Sequence, residues 1–222
     1  MKKLFTISTI ILSFFLTACA GKKESYDYSM FLDSKPRSIL VMMPTNDSSE
    51  VKAGAAVLAN AVKPLSEAGY YVFPVALVND TFKHNGLSEA HDIQRVSAQK
   101  LREIFAADTA LYLNIKEYGS SYVVFSSVTS VKIEAKLIDL KNGATLWSGS
   151  ASASSNEQNN SGGGIIGQLV AAAVTQIVNT VADKSFDVSA IATQRLFNTG
   201  YNGALLYGPY SPIYQKDPQL SK

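Results

Sequence analysis

The sequence Val-Lys-Ile-Glu-Ala-Lys-Leu at residues 131–137 decides the fold class, because its side chains alternate between apolar and charged. Successive side chains of a β-strand point to opposite faces of the sheet, so this alternation predicts a strand with one buried face and one wet face. The stretch lies within a longer β region that we predict over residues 120–140. The protein therefore contains a sheet that packs on a core along this strand.

A hairpin is predicted directly after this strand. The sequence Asp-Leu-Lys-Asn-Gly at residues 139–143 contains the Asn-Gly pair that is typical of tight turns. Residues 144–150 then return as the partner strand, and we expect Trp147 to pack in the core. Together the two strands form an antiparallel hairpin or meander beside the elements that precede them.

Upstream of residue 120, strand-like and helix-like segments alternate. An apolar run that ends at Pro44 predicts a strand buried on both faces, and apolar residues at three- and four-residue steps predict amphipathic helices. In order, we predict a strand at 38–43, a helix at 50–68, a strand at 70–78, a turn-prone stretch at 79–86, a helix at 87–107 and a strand at 109–115. The predicted fold is α/β: a βαβαβ core with an added antiparallel β hairpin and C-terminal helices packed on one mixed sheet.

The last third of the chain predicts helices and an irregular tail. Residues 152–164 are rich in Ser, Asn and Gly and predict a flexible loop. Residues 165–182 are uncharged and mostly apolar, but they include Gln168 and Gln176, so a buried amphipathic helix is favoured over a transmembrane one. A short helix at 187–198 precedes a Tyr- and Pro-rich tail.

The first nineteen residues have the composition of a secretory signal peptide. A basic start at Lys2 and Lys3 is followed by an uncharged, mostly apolar stretch and by small residues. Leu-Thr-Ala-Cys at residues 16–19 also resembles the lipobox of bacterial lipoproteins, in which the cysteine is acylated and becomes the mature first residue. Cys19, the only cysteine of the chain, is therefore the predicted lipidation site, with an N-acyl chain such as palmitate. The resemblance implies sorting to the outer membrane, because Ala20 rather than Asp follows the cysteine.

These features divide the chain into four segments: a signal peptide at 1–18, a lipid anchor and tether at 19–37, a single α/β periplasmic domain at 38–199 and an irregular tail at 200–222. Within the tether, residues 26–36 are expected to lack regular structure. Removal of 18 of the 222 residues leaves 204, which is enough for one sizeable core. Of the 20 basic residues, Lys2 and Lys3 leave with the signal peptide, so the mature side chains balance 18 acidic ones. We therefore expect no nucleic-acid partner.

No catalytic or metal-binding constellation is evident in the sequence. His84 and His91 flank a turn and a helix start, and we expect both to be exposed rather than metal ligands. Asp108, Glu117 and Asp139 lie at strand or helix ends, where carboxylates are usually solvated. The glycines at 162–164 precede a helix without the lysine of a phosphate-binding loop. We expect no cofactor, no metal and no enzymatic activity.

Several short motifs resemble a family of bacterial lipoproteins of unknown function typified by a neisserial lipoprotein. The motifs are Ile-Leu-Val-Met-Met-Pro at 39–44, Tyr-Tyr-Val-Phe-Pro at 70–74, Leu-Ile-Asp at 137–139 with Leu-Trp-Ser at 146–148, and Leu-Leu-Tyr-Gly-Pro at 205–209. The hairpin motif is shared more loosely with the periplasmic domains of CsgG-like channel lipoproteins, LpoB and the TolB N-terminal domain. The resemblance implies an envelope protein that works with other lipoproteins, and it supplies no catalytic residues.

We therefore expect a lipid-anchored binding or assembly component that associates with itself or with other envelope lipoproteins, in support of secretion or surface assembly. Tyr201, Tyr207, Tyr210 and Tyr214 are the candidate partner surface, because tyrosine brings a large contact area at low entropic cost. A tail that only covers the protein's own sheet explains them equally well. Two other functions stay open: a channel subunit built from residues 118–135 and 152–182, and an envelope enzyme acting on peptidoglycan.

Overall fold

The structure is a computed structural model that describes residues 25–123, 126–157 and 184–221, with backbone alone at 122, 123 and 126. Six strands in these ranges form one mixed sheet. They are β1 (Ser38–Val41), β2 (Thr45–Asn46), β3 (Tyr71–Val72), β4 (Thr109–Val123), β5 (Ser126–Asp139) and β6 (Thr145–Ser154).

The sheet order is β3-β1-β4-β5-β6, and β2 pairs with β4 beyond the end of β1. β1 runs parallel to β3 and β4, whereas β5 is antiparallel to β4 and to β6. The parallel part is built from the alternating strands and helices of the first half, and the antiparallel part from the hairpin around Asn142 and Gly143. The predicted mixed α/β fold is confirmed.

Helices pack on both faces of this sheet. The described helices are α1 (Ser29–Ser34), α2 (Ala53–Glu67), α3 (Val75–His84), α4 (Ala90–Gln94), α5 (Ala98–Phe105) and α6 (Lys184–Leu196), with a 3-10 turn at Pro218–Leu220. One apolar cluster lies under α2 and α6 and includes the inward side chains of β4, β5 and β6. The second lies under α3, α4 and α5 and reaches Leu40, Met42 and Ala110. The second layer therefore covers β1 and the start of β4, and none of the described helices covers the outer hairpin strands on this face.

The alternating strand that opened the sequence analysis is confirmed in β5. Val131, Ile133 and Leu137 are fully buried, while Lys132 and Lys136 on the other face are exposed. Trp147 on β6 is 1% exposed, as expected, and its indole Nε1 donates to the carbonyl oxygen of Gly203 at 2.9 Å.

The tail after α6 crosses one end of the sheet. We call it the α1 end; there Ser38, Tyr71 and Thr109 begin β1, β3 and β4, and Asp139 ends β5. On the β6 side the Tyr28 hydroxyl donates to the Ala204 carbonyl at 2.7 Å. On the β3 side the backbone N–H of Gly208 donates to the Ala68 carbonyl at 2.8 Å. The two edges are four strand spacings, or about 19 Å, apart.

Four secondary-structure predictions differ from the structure. The strand predicted at 70–78 is only Tyr71–Val72, because Pro74 precedes α3, which also replaces the turn-prone stretch at 79–86. The single helix predicted at 87–107 is two, α4 and α5, since Ser97 caps a new helix by accepting the Lys100 N–H. The segment 26–36, expected to be irregular, contains α1, in which Phe31 is buried.

Several predictions lie outside the described residues. These are the signal peptide, the lipidation of Cys19, most of the flexible loop at 152–164 and the apolar helix at 165–182. Within the described ranges, no helix is both long and apolar enough to cross a membrane.

Candidate functional site

The four tail tyrosines that the sequence singled out are in different environments. Tyr210 is 70% exposed and Tyr201 is 46% exposed. Tyr207 and Tyr214 are partly buried and line a small crevice together with Phe31 and Leu32 of α1. Part of the tail therefore covers the protein's own core, and part of it presents aromatic side chains to solvent.

Exposed apolar side chains concentrate around the tail. Among the described residues, ten large hydrophobic side chains are exposed, and six of them lie on α1, on β3 or in the tail. The six are Met30, Leu32, Tyr71, Tyr201, Tyr210 and Ile213. The elements that carry them meet at the α1 end, so the described surface of this end is partly apolar.

Tyr210 and Tyr71 are held at the same edge of the sheet. The backbone N–H of Tyr210 donates to the Gly69 carbonyl at 3.0 Å, and Tyr71 follows two residues after Gly69. Tyr71 is half exposed, on a strand that pairs only with β1. We call Tyr71, Tyr210 and Ile213 the β3-edge patch. Sequence analysis did not single out Tyr71, because the strand containing it was predicted to extend over residues 70–78 and its position at the sheet edge was not predicted.

Two of the carboxylates expected to be solvated are structural. Asp139 is only 5% exposed and accepts from the Ser34 hydroxyl and the Lys141 N–H, both at 2.6 Å. Asp108 accepts from the backbone N–H groups of Arg37 and Ser38, which fixes the start of β1. The prediction was wrong for Asp139, whereas the Asp108 side chain is 31% exposed and Glu117 is exposed as expected.

The buried Asp217 ties the end of the tail to its middle. Its Oδ1 accepts from the Tyr207 N–H at 2.8 Å, and its side chain lines the crevice beside α1. Burial raises the pKa of this carboxyl above its ordinary value, because removal from water disfavours the charged form.

An open groove of about 850 Å³ lies on the sheet face that α3, α4 and α5 leave uncovered. Its floor is formed by polar side chains of β4, β5 and β6 and its wall by Thr45 and Gln94; the floor side chains are Tyr112, Asn114, Glu134, Lys136, Ser148 and Ser150. Gln94 donates to the carbonyl oxygens of Met43 and Leu113, which holds α4 at the groove wall. Glu134 is the one carboxylate that lines it. Sequence analysis identified the wet face of β5 but not this groove, although Tyr112 and Asn114 alternate with apolar residues in the same way.

An ion pair borders the groove. The Lys116 ammonium is 2.6 Å from Asp47, and this contact lowers the pKa of the aspartate and raises that of the lysine. Both groups are open to water, so the pair fixes the hairpin against the loop after β2 without contributing much stability.

The two histidines are exposed, as predicted. His84 ends α3, where its Nδ1 lies 2.9 Å from the Asp80 carbonyl oxygen, so it sits at a helix C-terminus rather than the predicted N-terminus. His91 lies in α4. In the part of the chain that the structure describes, no three His, Cys, Asp or Glu side chains are grouped in a way that could hold a metal ion.

The sheet with helices on two faces, the covering tail and the apolar α1 end define a small α/β domain of a kind found in bacterial lipoproteins. The family model described as "Putative lipoprotein GNA1162-like" matches residues 26–210, and the chain belongs to that family. It is therefore a lipid-anchored protein of the cell envelope.

Two relatives support this assignment. The chain is 47% identical over 195 residues to the "Putative lipoprotein NMB1124/NMB1162" of Neisseria meningitidis serogroup B, covering 87% of this chain and 90% of the relative. The crystal structure of lipoprotein GNA1162 from Neisseria meningitidis shares 50% identity at a TM-score of 0.54, over 65% of this chain and all of that one.

The LpoB C-terminal domain of Salmonella enterica is a distant structural neighbour, as the hairpin motif suggested. It has 18% identity and a TM-score of 0.36, over 56% of this chain and 90% of that one. A likeness at this level carries no argument about function.

Proposed function

We propose that this lipoprotein is a non-catalytic assembly component of the envelope, anchored through Cys19 in the outer membrane. It associates with copies of itself or with other envelope lipoproteins, and in this way supports secretion or surface assembly. The observation that carries the proposal is the β3-edge patch, where Tyr71, Tyr210 and Ile213 are 50%, 70% and 40% exposed.

The patch is suited to binding because its backbone is held in place from both sides. Gly208 and Tyr210 donate to the carbonyl oxygens of Ala68 and Gly69, and the buried Tyr70 hydroxyl donates to Leu206 at 2.5 Å. A rigid surface loses little conformational entropy when a partner binds. Tyrosine and isoleucine both bring a large apolar area to a contact. Tyrosine also carries a hydroxyl that can stay hydrogen-bonded, and it is common at the centres of interfaces.

The proposal that the protein is not an enzyme has separate support. Asp108, Asp139 and Asp217 are each occupied by backbone or hydroxyl donors that maintain the fold. In the groove, Glu134 lies on the exposed face of β5 between two lysines rather than beside a second carboxylate. General acid–base work on a glycan usually needs a pair of carboxylates.

Light scattering of the mature chain from residue 20, without its lipid, tests self-association. We expect a discrete oligomer whose dissociation constant rises about tenfold in Tyr210→Ser, since loss of one central aromatic contact costs roughly 1.4 kcal/mol or more. Val51→Ser is the matched control, because Val51 is 92% exposed at the start of α2, away from the patch. A monomer at every concentration would contradict self-association and leave a different envelope protein as the partner.

A further inference from the structure

We propose that the α1 end, through Met30 and Tyr201, lies against the lipid headgroup layer of the membrane that holds the anchor, with the β4–β5 hairpin pointing away from it. This inference rests on the lipid anchor of the proposed function, and it names which face of the body meets the bilayer. Three observations carry it: where the described chain begins, how far the tether reaches, and where the exposed apolar side chains lie.

The chain enters the domain at the α1 end, on the β6 side. The backbone N–H of Tyr26 donates to the Asn202 side-chain oxygen at 2.8 Å, and the Tyr26 hydroxyl accepts from the Ser148 N–H at 3.2 Å. The ring centroids of Tyr26 and Tyr28 are 4.7 Å apart. α1 is then attached to the end of β5 by the hydrogen bond from Ser34 to Asp139. Ser25, the first described residue, is therefore fixed at this end.

The tether is short compared with the length of the domain. Five residues, 20–24, separate Cys19 from Ser25, and the six Cα–Cα steps from one to the other span about 20 Å at most. β4 has 15 residues and runs from the α1 end towards the hairpin turn, a length of about 48 Å. With Cys19 in the bilayer, the domain cannot turn its hairpin down and its α1 end up.

The exposed side chains near the tether suit an interfacial position. Met30, on α1, is 50% exposed, and Tyr201 is 46% exposed directly before Asn202, to which Tyr26 is bonded. Tyrosine is favoured at the headgroup level, where its ring meets apolar chains and its hydroxyl stays in water. Partial burial raises the pKa of the Tyr201 hydroxyl above its ordinary value.

The two edges of the α1 end would then have different contacts, lipid on the tether side and protein on the β3 side. Met30 and Tyr201 lie on elements bonded to the tether side, whereas the β3-edge patch lies about four strand spacings away, at the opposite edge of the sheet. Contact with lipid on the tether side leaves the β3-edge patch free to meet a protein beside it in the plane of the membrane.

The test uses the full-length lipidated protein in vesicles of phosphatidylethanolamine and phosphatidylglycerol that contain a spin-labelled headgroup lipid. A fluorophore is placed at Met30→Cys or at Ser121→Cys, the sulfur of Cys19 being occupied by lipid. We expect quenching about threefold greater at position 30 than at position 121, because only the first lies at the interface. Adding Tyr201→Ser should reduce quenching at position 30, whereas Val51→Ser should not.

Each other outcome overturns the inference in a recognisable way. Equal quenching at both positions, or more at 121, with protein that floats with the vesicles, shows that the anchor is present and the orientation is wrong. Protein that does not float shows that the anchor itself is absent. Association through the β3-edge patch is measured independently by light scattering without lipid, so its failure is distinguishable from either result.

Discussion

At the scale of single residues, the contact between Gly208 and Gly69 holds the tail on the sheet. A Cβ on Gly208 would collide with the Gly69 carbonyl oxygen and the ring of Tyr70, and a Cβ on Gly69 would meet the backbone of Ser211. Gly69 also has a φ of +93°, which L side chains rarely adopt. The Tyr-Gly-Pro motif that carried part of the family resemblance is therefore a packing requirement.

Gly208→Ala should lower the free energy of unfolding by about 2–3 kcal/mol, because the added methyl group meets backbone that has no room to move. Gly54→Ala is the control: it lies in α2, where the nearest atoms are 3.7 Å from the added carbon. That change should be neutral or stabilise by up to about 1 kcal/mol, since alanine favours the helix. Urea unfolding of both variants measures the difference; equal stabilities would contradict the account of the tail.

Two buried tyrosine hydroxyls make the fold sensitive to alkaline pH. Burial raises the pKa of Tyr28 to about 12, against 10.0 for the free side chain, and raises the pKa of Tyr70 well above its ordinary value. A tyrosine whose pKa is raised by folding stabilises the native state fully below pH 10. This contribution to the free energy of unfolding is lost as the pH rises from 10 through 12.

The wild-type protein should accordingly lose stability steeply between pH 10 and 12, and Tyr28→Phe should lose less over the same window. At pH 8 the variant should be less stable by about 1 kcal/mol, because the hydrogen bond to the Ala204 carbonyl is gone. Urea unfolding midpoints from pH 8 to 12 measure the loss of stability with pH and the difference between the proteins at pH 8. The exposed Tyr210→Phe is the control. An unchanged alkaline slope in Tyr28→Phe would contradict this assignment.

At the scale of elements, long periodic segments were predictable and short ones were not. The alternation at 131–137, the Asn-Gly turn and the three-to-four periodicity of residues 51–65 gave β5, the hairpin and α2. β5 buries one continuous face, which the alternation in its sequence records. In α2 the periodicity located the helix but not its whole buried face, since Leu58 and Leu65 are buried whereas Val51 is 92% exposed. The uncovered face of β5 was also predictable, but the groove was not, because its extent depends on where α4 stops.

The elements that sequence analysis placed wrongly are those whose limits depend on tertiary contacts. Val75 and Val78 have high strand propensity, yet they begin a helix after Pro74 because Val78 and Phe82 complete the second apolar cluster. α1 has six residues and forms against a partner 105 positions away, through Ser34 and Asp139. Periodicity over so few residues predicts neither.

The break between α4 and α5 gives a test at this scale. Ser97 accepts the Lys100 N–H at 3.3 Å and begins α5, so Ser97→Ala should destabilise the protein by about 1 kcal/mol. The nearby exposed Ser88→Ala should have little effect. Thermal melts compare the two. Equal melting temperatures for the two variants would mean that the Ser97 cap is not needed for the division of residues 87–107 into α4 and α5.

At the scale of the whole molecule, the family and the lipid anchor were within reach of the sequence, and the division of the tail tyrosines was not. Tyr207 and Tyr214 are partly buried against α1, whereas Tyr201 and Tyr210 remain exposed. All four lie in one stretch without regular periodicity, so only the three-dimensional packing separates those that cover the core from those that stay exposed to solvent.

The lipid anchor leads to a prediction for the full chain. Cys19→Ser should move the protein from the membrane fraction to the soluble fraction of the envelope, since several acyl chains at about 0.8 kcal/mol per buried methylene hold the native protein. Fractionation and intact-mass measurement would follow the change, with Ser25→Ala as a control in the tether. Retention of the variant in the membrane would show that the anchor lies elsewhere.

We propose that the β3-edge patch meets a protein partner in the envelope, and photo-crosslinking in intact cells would detect that contact. A photoreactive phenylalanine analogue replaces Tyr210 in the lipidated protein, and the same analogue at Val51 serves as the control, both positions being exposed. We expect a discrete protein adduct from position 210 and none from position 51. Absence of an adduct at 210, or equal adducts from both positions, would contradict it.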